Sequence, residues 1–209
     1  MNAVTTLRRA APVLAVLGAL GLPLILGGCI SVFPQAKPVQ MYRFGDQPIA
    51  AAAPGAAAPV TVLKGPITFP PASGGDRIMT VTGAENAYIG GARWVASAAS
   101  LFDEALLKTF DAPGAPRLVV RGEPLAAPST LRLDVRAFEA RYPGPTARVQ
   151  VRATLTRNAD RTLIGEKMFD VQVPAADNRQ GAIVAAFDQA VGQVLTGVRD
   201  WTAASAPRQ

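Results

Sequence analysis

Two runs of strict alternation constrain this chain more than any other feature. Leu131, Leu133 and Val135 alternate with Arg132, Asp134 and Arg136, and Val149, Val151, Ala153 and Leu155 alternate with Arg148, Gln150, Arg152 and Thr154. A period of two sends successive side chains to opposite faces of a strand, so each run has one apolar face to bury. Tyr142-Pro143-Gly144-Pro145 lies between the runs and has turn composition, which predicts an antiparallel hairpin. Asn158-Ala159-Asp160-Arg161 supplies a second turn into residues 162–173, extending the hairpin to a three-stranded meander with its polar residues outward. Pro174 stops it.

A one-sided sheet needs a cover. Ile183, Val184, Phe187, Val191, Val194, Leu195, Val198 and Trp201 form an apolar stripe on a helix predicted from about 178 to 201, with Asp177 as its candidate cap. Leu101, Phe102, Ala105, Leu106 and Phe110 recur at helical spacing after Ser100, whose Ser-x-x-acid arrangement with Asp103 reads as a capping box; this helix ends near Asp111. Shorter strand patterns cover residues 39–44, 60–63 with Ile67 and Phe69, 77–81 and 118–120, and residues 88–94 cross a Gly90-Gly91 turn. Residues 50–59 are almost wholly Ala, Pro and Gly, too poor in large apolar side chains to offset ordering entropy, and are expected to form a flexible surface loop. The expected fold is therefore α+β: a single domain with a mainly antiparallel sheet and two helices packed on one face.

The N-terminus carries a different signal. Arg8 and Arg9 precede an apolar run over residues 10–26, and Leu26-Gly27-Gly28-Cys29 follows with the chain's single cysteine. Basic, apolar and small-residue segments in that order form an export signal. Leu, Gly and Gly before Cys make a bacterial lipobox, so Cys29 is the lipidation candidate. An uncleaved anchor would want about twenty apolar residues unbroken by Pro12, Gly18, Gly21 and Pro23. The expected division is a signal peptide over 1–28, a lipidated tether over 29–38, a domain over 39–203 containing the 50–59 loop, and a tail over 204–209. Ile30, not Asp, follows the cysteine, which favours the outer membrane under the usual sorting rule.

Composition removes whole classes of chemistry. The chain has no histidine, which excludes imidazole bases, His-based triads and most zinc sites. Its one cysteine is assigned to lipid, leaving no thiol nucleophile, thiolate cluster or disulfide. Lys37, Lys64, Lys108 and Lys167 include none in an S-x-x-K arrangement, and no nucleophile elbow, phosphate loop or dinucleotide fingerprint occurs. The reading is a non-enzyme with no metal and no cofactor. Arg8 and Arg9 leave with the signal, so the formal net charge of +6 overstates the basicity of the mature protein, and nucleic acid is not an expected partner.

Two sets of residues are candidate contacts. Arg132, Arg136, Arg148 and Arg152 share an outer face if both strands keep their alternation, a patch suited to phospholipid headgroups or an acidic partner; a solvated sheet face partly neutralised by Asp134 is the commoner arrangement. Arg93-Trp94 before the first helix fits an interface anchor, while a Trp packed beneath that helix is the more frequent outcome. Tyr88 with Asp76-Arg77 is a candidate local polar network.

The lipobox, Tyr42 in the first strand, Asp76-Arg77-Ile78, Tyr88 with Arg93-Trp94, Phe138-Glu139, Gly165-Glu166-Lys167-Met168-Phe169 and the final helix ending at Trp201 occur in an order that resembles the ABC-type transport auxiliary lipoproteins. That family includes the paraquat-inducible lipoprotein C and accompanies Mce-domain lipid transporters in Gram-negative envelopes. The 50–59 insertion, and the missing Pro after Arg77, depart from its pattern. The resemblance implies a palmitate-bearing lipoprotein of the outer membrane, facing the periplasm and docking an Mce-domain protein and its ABC transporter. Phospholipid and further copies of the chain are additional expected partners. An outer-membrane assembly lipoprotein serving a β-barrel is the alternative, and a carboxylate-based wall hydrolase is the remaining enzymatic class. Mass spectrometry of the mature protein is expected to find a lipid-modified Cys29 as its first residue; an unmodified or uncleaved N-terminus would refute the lipobox.

Overall fold

In chain order the elements are β1 (Gln40–Tyr42), β2 (Thr61–Thr68), β3 (Arg77–Thr82), β4 (Glu85–Trp94), α1 (Ala98–Phe110), β5 (Arg117–Val119), β6 (Ser129–Tyr142), β7 (Thr146–Arg157), β8 (Leu163–Pro174) and α2 (Gln180–Ser205). The computed structural model describes residues 38–47, 51 and 60–207; the signal segment with Cys29, the tether through residue 37, nearly all of the 50–59 stretch and residues 208–209 lie outside the described residues. α2 runs past the expected domain end at residue 203.

The predicted meander is present. β6 pairs antiparallel with β7 from Ser129↔Arg157 to Arg141↔Thr146, and β7 pairs antiparallel with β8. Ala147, Val149, Val151, Ala153 and Leu155 of β7 are all buried on one face, as their alternation requires. α2 lies across β7 and β8, and α1 packs against α2, β2 and β5. Ile183, Phe187, Val191, Val194 and Val198 are fully enclosed, so the α2 stripe belongs to the core. The α+β class stands.

The eight-stranded sheet is mixed, however. β2 runs parallel to the N-terminal half of β6 (Val62↔Ser129 to Thr68↔Asp134), and β3 runs parallel to its C-terminal end (Thr80↔Ala140 to Thr82↔Tyr142). One edge of β6 therefore serves two strands in succession, while β7 occupies the other. β5 joins β2 and β1 joins β4 in parallel, and β3 with β4 is antiparallel.

A bulge in β6 sets the centre of the core. Val135 opposes Val151 and Ala137 opposes Gln150, so β6 carries one residue more than β7 at this point. Odd-numbered residues face the core before the bulge and even-numbered ones after it. Phe138 consequently turns inward, with its ring centroid 4.9 Å from that of Phe187, 5.2 Å from Phe44 and 5.7 Å from Phe69. Trp94 meets Phe44 edge-on at 5.0 Å and Phe187 at 5.5 Å. The aromatic cluster thus joins the segment after β1, the loop after β2, and strands β4 and β6 to helix α2.

Three local expectations are corrected. The Gly90-Gly91 pair is not a turn between strands: β4 continues through it, and the irregular pairing between Arg77↔Arg93 and Met79↔Tyr88 absorbs the extra residues, with Gly91 at φ +72°. α1 begins one turn before Ser100. Ser97 caps it by accepting from the Ser100 amide at 3.1 Å, and the Gly75 and Gly74 carbonyls accept from the Ala98 and Ala99 amides. Asp177 does not cap α2; its Oδ1 accepts from the Arg179 amide at 2.8 Å, one residue before the helix, and Arg179 occupies the N-cap without a side-chain capping bond.

Phe138→Ala is expected to cost about 3–5 kcal/mol of unfolding free energy, and Ser97→Ala about 1 kcal/mol, both read from urea denaturation. A Phe138→Ala loss no larger than that of Ser97→Ala would contradict its central place.

Candidate binding surface

The outer face of β6, β7 and β8 carries the four arginines singled out from the sequence. All four are wholly or partly exposed, yet three are engaged. Arg148 makes a two-pronged contact with Asp170, Nε to Oδ1 at 3.0 Å and Nη2 to Oδ2 at 2.7 Å, and Gln150 donates to the same carboxylate at 2.8 Å. Arg136 Nε lies 2.6 Å from Asp134, which also accepts from Thr68 at 2.8 Å, and Arg152 Nε lies 3.7 Å from Glu166. Among the described residues Arg132 is the one of the four with no ion pair. The face is a lattice of alternating charges and not a uniformly basic patch.

Two causes explain the difference. Glu166, Met168, Asp170 and Gln172 occupy the outward positions of β8, beside Thr154, Arg152, Gln150 and Arg148 of β7. Extending the alternation into the third strand would have revealed these acids. Glu139 reaches the face because the β6 bulge inverts the register, and its Oε1 takes Arg141 Nε at 2.8 Å. A bulge of this kind leaves no local signal beyond the out-of-phase Phe138.

The Arg148 contact holds the Asp170 carboxyl below the usual carboxylate range, chiefly through the hydrogen bond and then the charge of the guanidinium; Asp170 raises Arg148 in return. A depressed carboxylate contributes stability that is complete above its unfolded-state value and is lost as pH falls through its folded one.

The second candidate pair divides. Trp94 is 1% exposed, enclosed by Phe44, Phe138 and Phe187, so its side chain is spent on the core. Arg93 stays exposed and pairs with Asp76 at 2.7 Å, which lowers the Asp76 carboxyl. The Arg77 guanidinium stacks 3.7 Å from the Tyr88 ring centre, and the Tyr88 hydroxyl donates to the Ala72 carbonyl at 3.0 Å. These contacts fix the 70–76 loop whose carbonyls close the start of α1. Arg93 with Asp76 is therefore a brace of that loop.

A groove of about 460 Å³ between α1 and α2, lined by Ala105, Val191, Leu195 and Thr196 among others, was not foreseen from the sequence. Asp188 at its rim accepts from the Gly45 amide at 2.6 Å and from Gln47 Nε2 at 2.8 Å. Among the described residues no group of three potential ligands is placed to hold a metal.

Among the described residues, a mixed sheet is covered on one face by two helices and carries paired charges on its outer face. The family is shown by the sequence: residues 42–198 match the profile of the ABC-type transport auxiliary lipoprotein component, and the chain belongs to that family. Among solved structures, protein XCC0632 from Xanthomonas campestris, of family DUF330, is 25% identical with a TM-score of 0.69, covering 79% of this chain and 96% of its own. An uncharacterized protein shares the fold at 15% identity and a TM-score of 0.57, covering 78% of this chain and 97% of its own. No functionally curated protein matches.

Asp170→Asn is expected to lower stability at neutral pH and to flatten the decline of stability below about pH 4, measured as urea midpoints from pH 7 to 2. An unchanged acid profile would show that the Arg148 contact contributes nothing.

Proposed function

We propose that this protein is the auxiliary lipoprotein of an envelope ABC-type lipid transport system. It is anchored in the outer membrane through Cys29 and docks the periplasm-spanning Mce-domain component of the transporter. The observation that carries the reading is the family match over residues 42–198, which extends from the first strand nearly to the end of the last helix. A lipobox with a single cysteine is consistent with it.

The chemistry is non-covalent. The chain has no histidine, and its core is closed by apolar packing, so its contribution lies in presenting surface to a partner. Arg93, Arg132, Arg136, Arg148 and Arg152 are the candidate contacts on that surface. Trp94 supports them from within by fixing the end of β4. Arginines already held by carboxylates favour register and partner choice over raw affinity, since a partner must offer better-placed acids to displace the existing ones. Additional copies of the chain in the assembled complex are part of the same proposal.

The test is affinity purification of the C-terminally tagged full-length protein from crosslinked, detergent-solubilised envelopes, with mass spectrometry of what is recovered. An Mce-domain protein or its ATPase complex is expected. Recovery with a β-barrel alone would sink the transport reading and promote an assembly role. Arg136→Glu combined with Arg152→Glu is expected to lower partner recovery at least about tenfold, by bringing four carboxylates together where two ion pairs stood.

A further inference from the structure

We infer that the end of the outer sheet face, where β6, β7 and the β7–β8 turn converge, is a binding site for a phosphate group. A cleft of about 390 Å³ opens there, and every residue lining it is polar or charged. Three of them are arginines: Arg132 from β6, Arg157 from the end of β7 and Arg161 from the turn.

The strand register arranges the donors. Arg132 opposes Thr154 and Thr130 opposes Thr156, so one guanidinium and three hydroxyl groups occupy adjacent positions of one face. Asn158 ties the floor, its Oδ1 accepting from the Thr130 hydroxyl at 2.6 Å and its Nδ2 donating to the Ala127 carbonyl at 2.7 Å. The site is thus built on two long strands and a braced turn.

Charge separates this cleft from the rest of the face. Elsewhere each candidate arginine has a carboxylate, whereas among the described residues Arg132 and Arg161 have no ion pair. Asp160 accepts from the Thr162 amide at 3.0 Å and its hydroxyl at 2.7 Å and reaches Arg157 at 3.6 Å, while the flanking acids Asp134, next along β6, and Glu166, beside Thr154, are paired with Arg136 and Arg152. Three guanidinium groups and no carboxylate line the cleft, and the acids around it are each shared with an arginine, which leaves it cationic.

Arg161 adds an independent observation. It is the one non-glycine residue with positive φ among the described residues, at +61°. A hairpin turn places glycine or asparagine there at little cost, and an arginine there is strained. Such outliers gather at ligand clamps, where the side chain is required despite its backbone.

The donor set selects the ligand. Guanidinium forks match the paired oxygens of a phosphate, and the Thr154 and Thr156 hydroxyls can complete the remaining ones, the Thr130 proton being held by Asn158. A carboxylate, with two oxygens, would leave most of these donors unused. With no apolar residue among those lining it, the cleft suits a headgroup or free phosphate better than an acyl chain.

The test is calorimetric titration of the full-length protein in dodecyl maltoside at low ionic strength. The probes are inorganic phosphate and, separately, glycerophosphoglycerol, the soluble headgroup of phosphatidylglycerol. Saturable binding of at least one probe is expected, weakened about tenfold in both Arg132→Gln and Arg161→Gly and by added salt. Arg161→Gly relieves the turn, so its thermal unfolding should be no lower than that of the parent, which separates lost binding from lost fold. Tighter binding of the headgroup identifies lipid as the source, and tighter binding of phosphate identifies the free anion. Absence of saturable binding of either probe, or unchanged affinity in both variants, overturns the proposal. Its outcome is independent of the transporter assignment, which partner recovery alone decides.

Discussion

The core of this domain depends on one extra residue in one strand. The bulge between Val135 and Ala137 inverts the phase of β6, so that Phe138 enters the core in place of Glu139. Without it an uninterrupted alternation would bury Glu139 and expose Phe138, removing the ring that touches Phe44, Phe69, Trp94 and Phe187. A buried, unpaired carboxylate would cost several kcal/mol, on top of the lost aromatic contacts. The same phase change delivers Glu139 to the outer face, where it engages Arg141. Core packing and surface charge are thus set by a single backbone irregularity.

The meander and both helices were legible because their signals are local: alternation over adjacent strands, turn residues between them, and a stripe of helical period. The parallel pairings were not. β2 precedes β6 by some sixty residues, and nothing in Thr61–Thr68 names Ser129–Asp134 as its neighbour. Pairing specified by tertiary packing leaves no trace within a strand's own pattern. The early start of α1 was hidden for a related reason. Ser97 and Ser100 are equally good caps on paper, and the Gly74 and Gly75 carbonyls that receive the next two amides come from a distant loop.

The surface was half legible. Alternation placed Arg132, Arg148 and Arg152 on one face correctly, but reading two strands out of three supplied the cations without their partners. Asp170 and Glu166 lie on β8, and once they are counted the patch becomes a lattice. Toward the β7–β8 turn the cations outnumber the acids, Arg132, Arg157 and Arg161 gathering where Asp160 pairs with Arg157 alone. Trp94 shows the converse limit: its position beside Arg93 suggested a contact, and the alternation of β4 sends the two side chains to opposite faces, one outward and one into the aromatic cluster.

The sharing of one β6 edge by β2 and β3 has a consequence for how the chain acquires its structure. Synthesis proceeds from the N-terminus, so β2 and β3 emerge well before the strand they align upon. Helix α2, which covers β7 and β8, is later still, being the last element. Until Tyr142 is available the first half of the molecule has only the short β3–β4 ribbon to organise it, with Val62, Ile78 and Phe102 uncovered. The contacts of the β6–β7–β8 meander are close in sequence, which favours its early formation and later capture of β2 and β3. This ordering leaves the N-terminal half of the domain without its partners until the C-terminal half has formed.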